Sequence, residues 1–250
     1  MTFWQGLLVV AAGLGAGTIN TVVGSGTLIT FPVLLAIGLP PVTANVSNAV
    51  GLFPGSFAGA YGYRRELVGQ RERVLRLGIA ISLGAVLGAV LLLVLPASAF
   101  KTIVPVLIAV AIVLVLIGPR LSARFAREQH AAAAPITVAL TALIFACGVY
   151  GGYFGAAQSV LIMGLFGLLL HDTMQRQNGL KNVLAGMVNA VAALVFVFYA
   201  HIDWAAAGLV AVGATVGGVL GARIGRRLSP AVLRAVFVVV GLAALAKLLA

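Results

Sequence analysis

The chain has 250 residues, 62% of them hydrophobic and only 8% charged, with a net charge of +11. A water-soluble domain carries about a quarter charged residues, so the composition excludes a soluble globular protein and describes an integral membrane protein embedded in the bilayer. The basic excess sits in short loops, where the positive-inside rule accounts for it, and nucleic-acid binding is excluded with it.

A spanning helix needs about 20 apolar residues, and charges and Gly/Pro breaks divide the chain into about ten apolar elements. The first runs over 3–22. It has neither a basic lead nor a small-residue cleavage site, so it reads as a membrane element and not as a cleaved signal. The second, 25–38, follows the break Gly24-Ser25-Gly26-Thr27. A helix that starts there exposes unpaired N–H groups and the positive end of its dipole, a ready anion site. Asn20, Gly24, Ser25, Gly26 and Thr27 are therefore candidate substrate contacts. The glycines serve close helix packing equally well, and Ser and Thr can bond back to their own helix. The third element, 44–62, opens on "ANVSN" and adds Ser47 and Asn48. The fourth and fifth cover 77–95 and 101–118.

The first half thus closes at 119, a basic cytoplasmic linker occupies 120–134, and the second half fills 135–250. Its elements run over 135–152, 155–170, 180–200, 204–222 and 230–249. The second break, "GVYGGYFGAAQS" from Gly148 to Ser159, offers the Tyr153 hydroxyl, the Gln158 amide and Ser159; interfacial anchoring is the alternative for Tyr150 and Tyr153. "NGLKNVLAGMVN" then brings Lys181 and Asn182. Lys181 either snorkels to the interface beside His171, Asp172 and Arg176 or supplies a buried cation to the pocket.

The halves repeat. A shift of about 134 residues brings Asn48 onto Asn182, Ala58 onto Ala192, Gly84 onto Gly218 and Pro96 onto Pro230, with Gly17 near Gly151. Arg64, Arg65, Arg71, Arg73 and Arg76 follow the third element, Arg120, Arg124 and Arg127 the fifth, and Arg223, Arg226 and Arg227 the ninth. All three groups belong on the cytoplasmic side. The basic loop follows the third element of one half and the fourth of the other, so the halves are expected in opposite orientations, with both termini outside. The expected fold is therefore all-α: two inverted-topology repeats with interrupted or re-entrant helices. That is the architecture of many secondary transporters, whose sites lie where the breaks meet.

Glu66, Glu72, Glu128, Asp172, Asp203 and the three histidines lie in loops or at span ends, which disfavours a proton relay through a buried carboxylate. Cys147 is the single cysteine, which excludes an internal disulfide and a cysteine metal cluster. No catalytic constellation, cofactor motif or metal-ligand cluster is present, so an enzyme is the weakest class. An anion channel with the same lining and a non-transporting membrane scaffold are the alternatives to a carrier. Dimerisation is left open.

Three segments, "GAGTINTVVGSGTLITFPVLLAIGLPPVTANVSN", "CGVYGGYFGAAQS" and "NGLKNVLAGMVNAVAAL", carry a resemblance to the TauE/SafE sulfite-exporter family, also called the toluenesulfonate uptake permease group. Gly38-Leu39-Pro40-Pro41 with Ala44 and Ser47-Asn48 resembles its first-half hallmark, and Lys181-Asn182 the second-half counterpart. Gly24-Ser25-Gly26 and Ala156-Ala157-Gln158 stand where the family is richer in glycine. The resemblance implies transport of sulfite, sulfonates or related small organic anions across a bacterial inner membrane.

Overall fold

A computed structural model describes residues 1–126, 136–170 and 172–224 of the protein. Among these residues there is no strand, and the helices are α1 (Phe3–Val22), α2 (Thr27–Ala36), α3 (Pro41–Gly62), α4 (Arg71–Val94), α5 (Ala97–Ala126), α6 (Val138–Tyr153), α7 (Gln158–Leu169), α8 (Met174–Tyr199) and α9 (Trp204–Ile224). The element expected over 230–249, together with Arg127, Glu128, Arg226 and Arg227, lies outside the described residues.

Helix starts follow local chemistry. Thr2 and Gln5 form a capping box at α1, Pro41 supplies the first position of α3, and Thr137 and Thr173 cap α6 and α8 through their hydroxyls. Three boundaries differ from the sequence expectation. α4 begins at Arg71, so Arg71, Arg73 and Arg76 lie on its first turns and not in a loop. α5 continues past 118 to Ala126, through Arg120 and Arg124. α8 begins at Met174 and not at 180, which puts Lys181 two turns inside the helix. In each case charged residues took part in a helix that an apolar window cuts short.

Phe3–Val22, Arg71–Val94, Met174–Tyr199 and Trp204–Arg223 are long and apolar enough to cross a membrane. α2 and α7, of 10 and 12 residues, are only about 15 and 18 Å long at 1.5 Å per residue, against a hydrocarbon core of about 30 Å. Neither is long enough to cross it alone.

α1 lies along α9 and α4 along α6, while α3 packs against α8 and α9. Glycine builds both long seams. A Cβ on Gly13 would meet the Val210 carbonyl at 2.8 Å, and one on Gly17, Gly213 or Gly217 would strike Ala214, Val10 or Leu14 backbone. In the other seam, a Cβ on Gly84, Gly88, Gly148 or Gly152 would strike the carbonyls of Phe145, Val149, Ile81 or Ala85. Lipid offers no hydrophobic drive for helices to pair, so this backbone-on-backbone approach carries the association.

A polar knot ties the α3–α4 turn to the start of α8. Asp172 pairs with Arg73 at 2.5 Å and with Arg176 at 3.0 Å. Arg176 also donates to the Val68 carbonyl at 2.9 Å, and the buried Gln70 amide donates to Glu66 and Arg176 carbonyls at 2.8 and 3.0 Å. Burial pushes the Asp172 carboxyl up, but hydrogen bonds from Arg176, the Thr173 N–H and Arg73 outweigh it and hold the group below the ordinary carboxylate range.

Candidate functional site

The two breaks share one construction. At the end of α1 the N–H groups of Val23 and Gly24 both donate to the Ile19 carbonyl, at 2.8 and 3.0 Å; at the end of α6 those of Phe154 and Gly155 both donate to Tyr150, at 2.9 and 3.1 Å. Gly24 and Gly155 then turn the chain out at φ of +93° and +75°, a conformation in which a Cβ is strained. α2 and α7 start directly afterwards, on Gly26 and Ala157, with no side chain capping either N-terminus.

The two breaks touch through Gly24 and Ser159. A Cβ placed on Gly24 would fall inside the Ser159 side chain. Beyond them Phe31 of α2 meets Phe154 edge-on at 5.2 Å. Ser25, in the first break, is fully buried, and its hydroxyl has no hydrogen-bond partner. A buried hydroxyl without a partner costs about 1–3 kcal/mol.

Two clamps hold the ends of the incoming helices. Lys181, fully buried, donates through Nζ to the Asn20 and Thr21 carbonyls, both at 3.3 Å, and Asn182 Nδ2 donates to Thr21 at 3.1 Å. An ammonium at a helix C-terminus satisfies orphan carbonyls and complements the dipole. On the other side Asn45 Nδ2 donates to the Tyr153 carbonyl, the end of α6, at 3.0 Å. The snorkelling reading of Lys181 is thereby replaced: the side chain reaches inward from the third turn of α8.

The expected contact residues divide by where they point. Gly24 meets Ser159, Ser25 follows it within the first break, and Lys181 and Asn182 bond the Asn20 and Thr21 carbonyls just ahead of that break, while the Asn20 side chain turns to Ser56. Gly26 abuts the Ala16 carbonyl and Asn20, so its missing side chain seats α2 on α1. Asn48 is held between Thr27, at 3.4 Å, and Thr30, and ties α3 to α2. Ser47 accepts the Asp203 N–H at 2.9 Å, at the start of α9. Gln158 folds back to donate to the Cys147 carbonyl at 3.0 Å. Tyr153 is buried with no partner for its hydroxyl, but its ring lines an apolar groove of about 420 Å³ with Leu91, Ile103, Leu107, Phe145 and Val149.

Four residues escaped the sequence reading. Asn45 shares a helix face with Asn48 at i, i+3 spacing, and Thr30 with Thr27, which was the available signal. Ser56 accepts from Asn20 at 3.3 Å and from Asn189 at 2.8 Å, so a polar chain crosses α1, α3 and α8. Polar residues within apolar helices bond between helices in membranes.

Described residues that form helices and no strand, with four helices of membrane length and shorter apolar ones beside them, define a multi-pass membrane protein. The model of the sulfite exporter TauE/SafE family matches residues 9–248, and the chain belongs to that family. It is 31% identical to a probable membrane transporter protein, ORF9, of Sinorhizobium sp, over 94% of this chain and 88% of the relative. It is 26% identical to the probable membrane transporter protein YfcA of Escherichia coli strain K12, over 94% and 86%, and to a probable membrane transporter protein of Haemophilus influenzae, over 85% and 82%. No solved structure matches.

Proposed function

We propose that the protein carries a small sulfur-containing or organic anion, of the sulfite or sulfonate kind, through the inner membrane by alternating access. The reading rests on one observation above others: Ser25, buried and without a partner, precedes the uncapped start of α2, in a break whose Gly24 packs on Ser159 at the uncapped start of α7. Backbone N–H groups and the Ser25 hydroxyl replace the anion's hydration shell, and Lys181 adds charge from behind α1. The family match and the relatives' names support a transporter; the chemistry of the donors supports an anion.

The inverted repeat belongs to the same proposal. It is supported by the parallel construction of the two breaks, the two glycine seams that pair α1 with α9 and α6 with α4, and the opposed basic segments. In this pairing Gly84 takes the place of Gly213, and Gly218 instead packs on Gly55. Rocking of one repeat against the other exposes the site to each side in turn.

Uptake by proteoliposomes of a labelled panel (sulfite, sulfate, sulfoacetate, taurine, acetate), with and without ion gradients, tests it. Saturable uptake of at least one anion, lost in Ser25→Ala, is expected. Uptake that never saturates and is accompanied by large unitary currents contradicts a carrier, and no uptake of any member contradicts the anion assignment.

A further inference from the structure

Four helix ends converge at the breaks, and their charges can be added. The ends of α1 and α6 each contribute about −0.5 of an elementary charge, and the starts of α2 and α7 about +0.5 each. These cancel. Lys181, whose ammonium is bonded to the Asn20 and Thr21 carbonyls, remains. The Asp203 carboxylate accepts the Ala206 N–H at 2.9 Å and caps the positive start of α9. The fixed charge beside the breaks, held behind the end of α1, is thus about +1.

Resting on the proposed anion site, we infer that this site takes its substrate as a monoanion and discriminates against dianions of the same size and shape. The physical reason is a mismatch of scaling. The cost of stripping water from an ion grows with the square of its charge, so a dianion costs about four times as much as a monoanion. Its attraction to a fixed charge of about +1 only doubles. The Ser25 hydroxyl and the backbone N–H groups are neutral donors and do not make up the difference. A substrate that is a weak dibasic acid therefore travels with one proton still on it, and the proton is carried by the substrate and not by a side chain.

Two probes of one shape isolate charge. Methanesulfonate is a monoanion at any working pH; methylphosphonate is a monoanion below its second ionisation and a dianion above it. Binding to the purified full-length protein is measured on both sides of that ionisation. Titratable or charged groups on the elements around the breaks include Tyr61 of α3, Lys101 of α5, Cys147, Tyr150 and Tyr153 of α6, Arg176, Lys181 and Tyr199 of α8, and Asp203 and Arg223 at the two ends of α9; the methanesulfonate arm reports any change they cause. Relative to methanesulfonate at the same pH, methylphosphonate is expected to bind within a few-fold below the ionisation and at least tenfold more weakly above it, about 1.4 kcal/mol. A dianion that binds as well as the monoanion overturns the inference and leaves the anion site standing. Binding of neither probe at either pH overturns the anion site and the inference with it.

Discussion

Gly24 is the residue through which the two breaks touch. Its φ of +93° strains any side chain, and its Cα faces Ser159. Gly24→Ala should abolish transport and destabilise the fold by more than the 1–3 kcal/mol of backbone strain alone, and Ser159→Gly should restore only the steric part. Thermal unfolding of the single and double variants checks this; full rescue by Ser159→Gly would mean that φ at 24 is not constrained. Lys181 and Asn182 share the end of α1 but differ in charge. Asn182→Ala should cost about 1–3 kcal/mol of stability, because the Thr21 carbonyl is buried, and leave the affinity of folded protein near wild type. Lys181→Met should lower both stability and affinity. Equal affinity in Lys181→Met and wild type would reduce the lysine to a helix clamp. The glycines and hydroxyls at the breaks were legible in the sequence because polar, helix-breaking residues stand out in a run without charges. The targets of those side chains were not legible. Gln158 and Ser47 have the right chemistry for a ligand, but neighbouring backbone groups engage both, and only tertiary placement decides that.

The elements are held by two unlike devices. In the seams, Gly88 and Gly152 leave no room for a side chain, so Gly88→Leu or Gly152→Leu should separate α4 from α6 and prevent folding. A Cβ on Gly208 meets nothing, and Gly208→Ala should be neutral or stabilising by about 0.5–1 kcal/mol. Expression and detergent thermostability of the three variants test the difference, and tolerance of both leucines would contradict the seam. The second device is the Asp172 knot. Its carboxyl is held below its unfolded value, so its contribution is complete above the ordinary carboxylate pKa of about 4 and is lost as pH falls through the lower folded value. Asp172→Asn should lower the melting temperature by a few degrees near neutral pH and flatten the acid limb of the stability curve. An unchanged acid limb would show that the knot contributes nothing. Apolar windows located the elements well but cut α4, α5 and α8 short, because Arg71, Arg120 and Arg176 are good helix formers that no hydropathy window admits.

For the whole molecule, the opposed basic segments predict that sites near Arg71 and Arg223 label from the cytoplasm and sites near Ser98 and His201 from outside, in a Cys147→Ala background. Labelling of the Arg71 and Arg223 sites from opposite faces would contradict the inverted arrangement. Membrane character and family were legible from composition and from three segments, since both are written in residue type and order. The meeting of Gly24 with Ser159 was legible only as an expectation of symmetry, because their contact spans most of the sequence between the two halves. The central claim is that an anion rests between those breaks on the Ser25 hydroxyl, and its most direct test is the affinity of Ser25→Ala for the best-transported anion of the panel. Ser25 has no protein partner to lose, and removing its buried hydroxyl relieves a desolvation cost, so the melting temperature of the ligand-free variant should stay at or rise above the wild-type value while affinity falls at least tenfold, as expected for a bond to a charged ligand of about 1.5–3 kcal/mol. Wild-type affinity in the folded Ser25→Ala variant would contradict the account.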